Sequence, residues 1–189
     1  MEIFSTLTVV FFVAGIVLFA DAIRKGATVK KASWLVWLAL DSAALVNMAF
    51  DHTLNAQIIS AVGGAIVIVI TALKYGASGW SKLDKACLLI GATAVPWVII
   101  KPTAGTAISC VGMLIASWPT FKGAYLAPEK EGGLAWSVFW FSCLSGLLAV
   151  PKWTLASSIQ PVTFMLVETI MLFLIYIRPR FRRRLATQN

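Results

Sequence analysis

Long apolar stretches separated by short polar segments run through almost the whole chain. Seven of them lie at roughly residues 4–22, 33–50, 56–73, 86–100, 104–119, 134–151 and 157–177. A helix needs about 20 mainly apolar residues to cross the hydrocarbon core of a bilayer. The segments between the stretches are too short to form a soluble domain. The pattern therefore predicts an all-α membrane protein with seven transmembrane helices.

The composition supports a membrane location. Hydrophobic residues make up 59% of the 189 positions and charged residues 13%, whereas soluble domains average about 45–50% and about 25%. We expect an integral protein of a bacterial inner (plasma) membrane.

The positive charges predict the orientation of the helices, because Lys and Arg collect in cytoplasmic loops. With seven helices and a cytoplasmic C-terminus, 14 of the 16 Lys and Arg residues fall inside, and only Lys101 and Lys152 fall outside. The prediction is an N-out, C-in chain. Its basic end is expected to contact anionic lipid, and not nucleic acid, because it directly follows a predicted transmembrane helix. The arginines of that end are Arg178, Arg180, Arg182, Arg183 and Arg184.

The chain contains a weak internal repeat. Three residues recur 97 positions later: Gly15, Lys25 and Gly26 correspond to Gly112, Lys122 and Gly123. Two recur 103 positions later: Trp37 and Gln57 correspond to Trp140 and Gln160. Equivalent helices are four apart, so both triplets run the same way through the membrane. In transporters built from parallel repeats, the substrate binds near the midplane between the repeats.

The repeat divides the chain into four parts. They are a first three-helix repeat (1–75), a linker helix (76–102), a second three-helix repeat (103–178) and a basic cytoplasmic tail (179–189).

This organisation is similar to that of the PQ-loop superfamily, which includes the SWEET (MtN3) transporters. The best local match is SWPTFKGAYLAPEKEGGLAWSVFWF, residues 117–141, where a helix ends at a proline, passes a basic loop and enters an aromatic helix. On that match Pro119 takes the family's proline position, and Thr120 stands where the family has glutamine. The resemblance implies a 3+1+3 repeat and alternating-access transport. Nicotinamide riboside transporters also resemble a 3+1+3 duplication and are a second candidate family.

Two acidic residues lie deep inside apolar stretches. Asp41 is about eight residues, roughly 12 Å, from the predicted cytoplasmic end of the second helix, and Glu168 is at nearly the same depth in the seventh. An ionisable group at such depth costs about 2.5–3.5 kcal/mol to insert and usually faces a bundle interior or a wet cavity. No Lys or Arg lies near the centre of any predicted helix. We expect the two acids to share a solvated central cavity and to exchange protons or bind a cation; a structural hydrogen bond between helices is the alternative for Asp41.

Aromatic and amide side chains are the candidate substrate contacts. Trp37 and Trp140, matched by the repeat, could form two walls of the same cavity, with membrane-belt and packing roles as the alternative. Gln57 and Gln160 are predicted polar contacts on the outer side. Asn47, on the helix that carries Asp41, is a further candidate contact.

Motifs for ATP hydrolysis, metal-dependent catalysis and retinal binding are absent from the sequence. The chain has one histidine, no Walker loop and no HExxH motif, and the seventh stretch has no lysine for a retinal Schiff base. We therefore expect no enzyme activity, no cofactor and no metal site. The predicted function is transport of a small polar or cationic organic solute, such as a sugar, an amino acid or a nucleoside. A non-transporting seven-helix receptor or assembly subunit is the alternative, and homo-oligomerisation is left open.

Overall fold

Helices dominate the computed structural model, which describes residues 2–27 and 29–180. The α-helices of these residues are α1 (Glu2–Arg24), α2 (Lys31–Phe50), α3 (Ala56–Tyr75), α4 (Lys82–Ala94), α5 (Trp97–Ile100), α6 (Pro102–Ala116), α7 (Trp118–Leu126), α8 (Gly133–Leu148) and α9 (Leu155–Leu172). A 3-10 turn (Pro128–Lys130) precedes α8, and a π-helical turn (Phe173–Ile177) follows α9. An isolated bridge joins Lys30 to Ala77, and the described residues form no strand.

Six helical segments of the described residues are long and apolar enough to cross a membrane. They are Glu2–Arg24, Lys31–Phe50, Ala56–Tyr75, Lys82–Ile100, Pro102–Leu126 and Leu155–Arg180. The sixth predicted stretch, 134–151, forms α8, a shorter apolar helix of 16 residues. The chain is therefore an all-α protein of membrane type, as the apolar pattern predicted.

Prolines shift two helix boundaries from their predicted places. The fourth stretch is divided by Pro96, which lies between α4 and α5, because proline lacks the backbone N–H that a helix interior requires. The fifth stretch was expected to end at Pro119. Instead a new helix, α7, begins at Trp118 with Pro119 in its first turn. The N–H groups of a first turn have no acceptor within the helix, so the N–H that proline lacks is not needed there.

The helices pack in two groups of similar arrangement. In the first, α3 packs against both α1 and α2; in the second, α9 packs against both α8 and α6. The groups meet where α1 packs on α8 and where α2 packs on α6, and α4 lies against α2 and α6.

Glycines allow the two groups to approach closely. A Cβ atom added to Gly15 of α1 would lie 2.6 Å from the Phe139 ring of α8. A Cβ added to Gly112 of α6 would lie 2.8 Å from the Leu40 side chain of α2. Both distances are shorter than carbon–carbon contact, so only glycine fits these helix pairs without rearrangement.

The loops gather at two opposite faces of the bundle. The N-terminal face carries the start of α1 and the loops 51–55 and 149–154. Residues 2, 52–55, 149–152 and 154 of these segments line one cavity together. The C-terminal face carries residues 25–27, 29–30, 76–81 and 127–132 and the end of the last helix.

Charged side chains at the C-terminal face make local contacts. Lys25 and Asp21 form an ion pair of 2.5 Å, as expected for a basic helix end. The Arg178 guanidinium lies 3.3 Å from the centre of the Tyr125 ring and donates a 2.6 Å hydrogen bond to the Tyr125 carbonyl. The predicted lipid-binding arginines Arg182, Arg183 and Arg184 lie outside the described residues.

Candidate functional site

A small cavity lies between the two helix groups and holds both deep acids. Its volume is about 40 Å³, and its polar lining consists of Asp41 from α2 and Glu168 from α9. Asp41 is 3% exposed and Glu168 is 9% exposed. One water needs about 10–15 Å³ of such space, so the central cavity has room for a few waters and not for an organic solute.

Asp41 and Glu168 each have a carboxyl oxygen without a hydrogen-bond donor. Asp41 Oδ1 and Glu168 Oε2 are buried and accept no hydrogen bond. Across the part of the chain that the structure describes, no Lys, Arg or His nitrogen lies within ion-pairing distance of either group. A buried carboxyl without a partner is unfavourable for stability, so these two groups are candidates for a functional role.

Aromatic rings form most of the remaining wall of the central cavity. Trp34 and Trp37 of α2 lie with ring centres 6.0 Å apart, and Trp136 and Phe139 of α8 lie 6.1 Å apart. Phe12 of α1 completes this wall, 5.2 Å from Phe139. The acids are thus surrounded by rings that can interact with a cation.

Trp140, the predicted partner of Trp37, does not line this cavity. Its indole N–H donates a 3.1 Å hydrogen bond to Thr169 Oγ1 of α9, and its ring packs against Phe141. The structure therefore brings Trp37 together with Trp136 and not with Trp140. The reason is the rotation of α8, whose buried face contains Trp136 and Phe139, while Trp140 is turned toward α9.

A larger vestibule of about 860 Å³ opens at the N-terminal face and contains the predicted contact Gln57. Gln57 is 1% exposed, and neither its oxygen nor its nitrogen has a hydrogen-bond partner. Gln160 lies at the same end of the bundle, where its Oε1 accepts a 3.0 Å hydrogen bond from Asn55, a vestibule residue. The two predicted glutamines are thus associated with one vestibule, Gln57 directly and Gln160 through Asn55.

Asn47 lies in a helix contact, away from the described cavities. Its amide donates to the carbonyls of Ala43 (2.8 Å) and Ala94 (3.4 Å), and its side chain fills the space above Gly105 of α6. These contacts connect α2 to α4 and α6. The geometry gives Asn47 a packing role and places it apart from the two deep acids.

A third pocket, of about 230 Å³, opens at the C-terminal face. Its charged residues are Lys30, Lys130 and Glu131, and it shares Trp34 and Trp136 with the central cavity. Burial raises the pKa of Glu131 to about 7, and the nearby Trp136 indole, which acts in the opposite direction, has the smaller effect. Glu131 therefore changes its charge near neutral pH.

Two groups of functional candidates were missed in the sequence. Trp136, Phe139 and Cys143 recur at helical spacing and form the inward face of α8, so their periodicity could have identified Trp136 as a lining residue. Asn55 precedes the third apolar stretch directly and accepts a 2.9 Å hydrogen bond from the Ile58 N–H, which is an ordinary helix-capping signal.

No family model, no curated protein and no solved structure matches this chain. The candidate site is therefore defined by its own geometry: two acids in a small aromatic cavity, with a polar vestibule on one side and a basic pocket on the other.

Proposed function

We propose that this protein is a seven-helix membrane transporter that moves a small polar or cationic organic solute by alternating access. The observation that carries the proposal is the central cavity, where Asp41 and Glu168 lie buried and have no counter-ion among residues 2–27 and 29–180. Acidic residues inside membrane helices mark ion and proton pathways.

The arrangement of cavities supports a transport path. The vestibule with Gln57 opens at the N-terminal face, and the basic pocket opens at the C-terminal face. Trp34 and Trp136 line both the basic pocket and the central cavity, so these rings form the barrier between them. The vestibule is the larger of the two, which favours a state open toward the N-terminal face.

The packing supports a duplicated architecture. In both helix groups the third helix contacts the first and the second, and each group contacts the other through its first and second helices. Gly15 and Gly112, equivalent in the sequence repeat, both contact the second helix of the opposite group. We therefore keep the proposed 3+1+3 parallel repeat and the relationship to the PQ-loop/SWEET superfamily.

In this proposal α8 also crosses the membrane, which makes seven membrane helices, and α8 is the sixth of them along the chain. Its 16 residues rise about 24 Å, less than the roughly 30 Å of the hydrocarbon core, and it packs along the 23-residue α1. The orientation is N-out, C-in in a bacterial inner membrane, with anionic lipid at the C-terminal arginines.

Proton coupling is part of the proposal, because the central cavity is too small for a solute and large enough for water. A carboxyl group that meets water from either side in turn can release a proton on one side and take one up on the other. Asp41 lies on α2 of the first helix group and Glu168 on α9 of the second. Both carboxyls would then exchange protons with water as the two helix groups move relative to each other.

The test begins with the solute. Purified protein is screened by thermal shift against sugars, amino acids, amines and nucleosides, and the compound that stabilises it is used for uptake into proteoliposomes with and without an imposed pH gradient. We expect uptake to depend on pH. Asp41→Asn should remove this dependence, whereas Asp21→Asn, which changes the same charge at an exposed site, should keep it. Folded Asp41→Asn protein with the wild-type pH profile would show that the proton role is wrong.

A receptor or assembly subunit is the second candidate, because a basic pocket on one face, with Lys30 and Lys130, suits a partner that binds without crossing the membrane. Binding of a solute without uptake into proteoliposomes would favour this candidate.

A further inference from the structure

We propose that the pocket at the C-terminal face is a binding site for a small anionic group, a phosphate or a carboxylate, held by Lys30, Lys130 and the indole N–H of Trp136. This inference goes beyond the proposed transport function and does not depend on it.

The two lysines provide the charge of the site. Lys30 immediately precedes α2, where its backbone is held by hydrogen bonds from Ala77 to Val29 (2.8 Å) and from Lys31 to Ala77 (3.1 Å). Lys130 closes the 3-10 turn before α8. Both line the pocket, and neither has a carboxylate within ion-pairing distance among the described residues. Two ammonium groups that reach one pocket from separate elements can bind an anion from two sides.

The indole of Trp136 supplies a buried donor to the site. Trp136 is 3% exposed and lines the pocket, and its Nε1 has no acceptor in hydrogen-bond geometry among the described residues, although the Glu131 carboxyl is close enough to interact with it. An N–H group buried without an acceptor is unfavourable. A bound anion would provide this acceptor when the Glu131 carboxyl is neutral and is the weaker partner.

Glu131 makes the site sensitive to pH. The charged groups that line the pocket are Lys30, Lys130 and Glu131. The Glu131 carboxyl group also lies over Gly123 of α7: a Cβ atom added to Gly123 would be 3.2 Å from Glu131 Oε1. With Glu131 protonated, the pocket has two positive charges and none negative. With Glu131 ionised, its negative charge repels the anion and its carboxylate accepts from the Trp136 N–H in place of the anion. Affinity should therefore fall as pH rises through about 7, the pKa of Glu131.

The size of the pocket fits a headgroup or a small free anion. About 230 Å³ is enough for a phosphate or a short carboxylate and is below the roughly 300–1,000 Å³ of sites for drug-sized ligands. The same chemistry could be presented by a lipid headgroup, because the pocket opens where a bilayer surface would lie, or by a soluble anion.

The experiment uses isothermal titration calorimetry on the purified full-length protein in a neutral detergent. The probes are inorganic phosphate and the soluble short-chain lipid dihexanoyl phosphatidic acid, titrated at about pH 6. Binding of phosphate alone assigns a soluble anion, and binding of the short-chain lipid alone assigns a headgroup. Either result supports the site, and the absence of binding of both probes at millimolar concentration overturns it.

Matched variants locate the binding. Lys30→Gln and Lys130→Gln should each weaken binding about tenfold, the loss expected for one charge-assisted hydrogen bond. Lys152→Gln, the same change at the N-terminal face, should leave affinity within about twofold. Trp136→Phe should also weaken binding, because it removes the N–H and keeps a ring. Equal weakening in Lys152→Gln, or wild-type affinity in both pocket variants, refutes the site.

The pH profile separates this site from general charge attraction. Wild-type affinity should fall between about pH 6 and pH 8, and Glu131→Gln, which cannot ionise, should remove that fall. Circular dichroism confirms that each variant is folded; the lysines are exposed, so their replacement leaves the helix packing unchanged. A fall of the same size in Glu131→Gln contradicts the role of Glu131.

Discussion

Glu131 lies between α7 and α8 and is half-buried, whereas its neighbour Glu129 is exposed. Burial stabilises its neutral form, so the pKa of Glu131 is raised from 4.5 to about 7. The folded protein therefore binds this proton more tightly than the unfolded chain does. The resulting stabilisation is complete below about pH 4.5 and is lost as pH rises through about 7.

Glu131→Gln should make the thermal stability less dependent on pH. We expect the melting temperature of the wild type to decrease between about pH 5 and pH 8, and that of the variant to decrease less, because glutamine is neutral throughout. Glu129→Gln, an exposed neighbour, is the control and should follow the wild type. Parallel curves for wild type and Glu131→Gln would mean that Glu131 titrates alike in the folded and unfolded states.

The helix contacts depend on small residues at particular positions. Gly15 of α1 lies against the Phe139 ring, and Gly63 of α3 has open space where its Cβ would be. Both glycines lie inside helices, so the two positions differ in packing and not in secondary structure.

Gly15→Ala should destabilise the fold by about 1–3 kcal/mol, because the added methyl group forces the Phe139 ring to move. Gly63→Ala should be neutral or stabilising by up to about 1 kcal/mol, since alanine is the better helix former. Reversible unfolding in mixed micelles measures the free energy of unfolding of each variant and of the wild type. If the two variants are equally stable, the contact between α1 and α8 is looser than the structure shows.

Asn55 stabilises two helices at once. The side-chain oxygen of Asn55, Oδ1, accepts a hydrogen bond from the Ile58 N–H at the start of α3. The side-chain NH2 group of Asn55 donates a hydrogen bond to Gln160 Oε1 of α9. Asn55→Ala loses both bonds and should cost about 2 kcal/mol, roughly 1 for the cap and 1 for the bond to Gln160. Asn55→Asp keeps the cap and loses the donor, so it should recover about half. Equal stability of the two variants would show that the cap contributes nothing measurable.

On the scale of the whole molecule, the two faces differ in charge. The N-terminal face carries Lys101 and Lys152, and the C-terminal face carries the other described lysines and arginines. Such an asymmetry determines which face remains in the cytoplasm during insertion.

Cysteine labelling in intact cells measures the orientation. A membrane-impermeant maleimide should react with Lys152→Cys at the N-terminal face and should not react with Lys122→Cys at the C-terminal face until the cells are opened. The native cysteines Cys87, Cys110 and Cys143 are buried and give little background. Labelling of Lys122→Cys alone in intact cells would reverse the orientation.

The apolar pattern alone is enough to assign the helical class and the approximate positions of the helices, because each long apolar stretch must satisfy its own backbone in a membrane. It also indicated the burial of Asp41 and Glu168, since both lie far from either end of an apolar stretch. The helix count, the repeat and the orientation remain predictions.

The packing of the helices against one another determined which side chains meet. It turned Trp136 instead of Trp140 toward the deep acids, placed Asn47 in a helix contact, and brought Glu131 under a basic pocket. Composition is a property of each segment alone, whereas the rotation of a helix depends on how its side chains fit several neighbours at once. The faces of α8 are both apolar and aromatic, so hydrophobicity does not distinguish them, and the close packing of α8 on α1 and α9 sets the rotation that places Trp136 at the cavity.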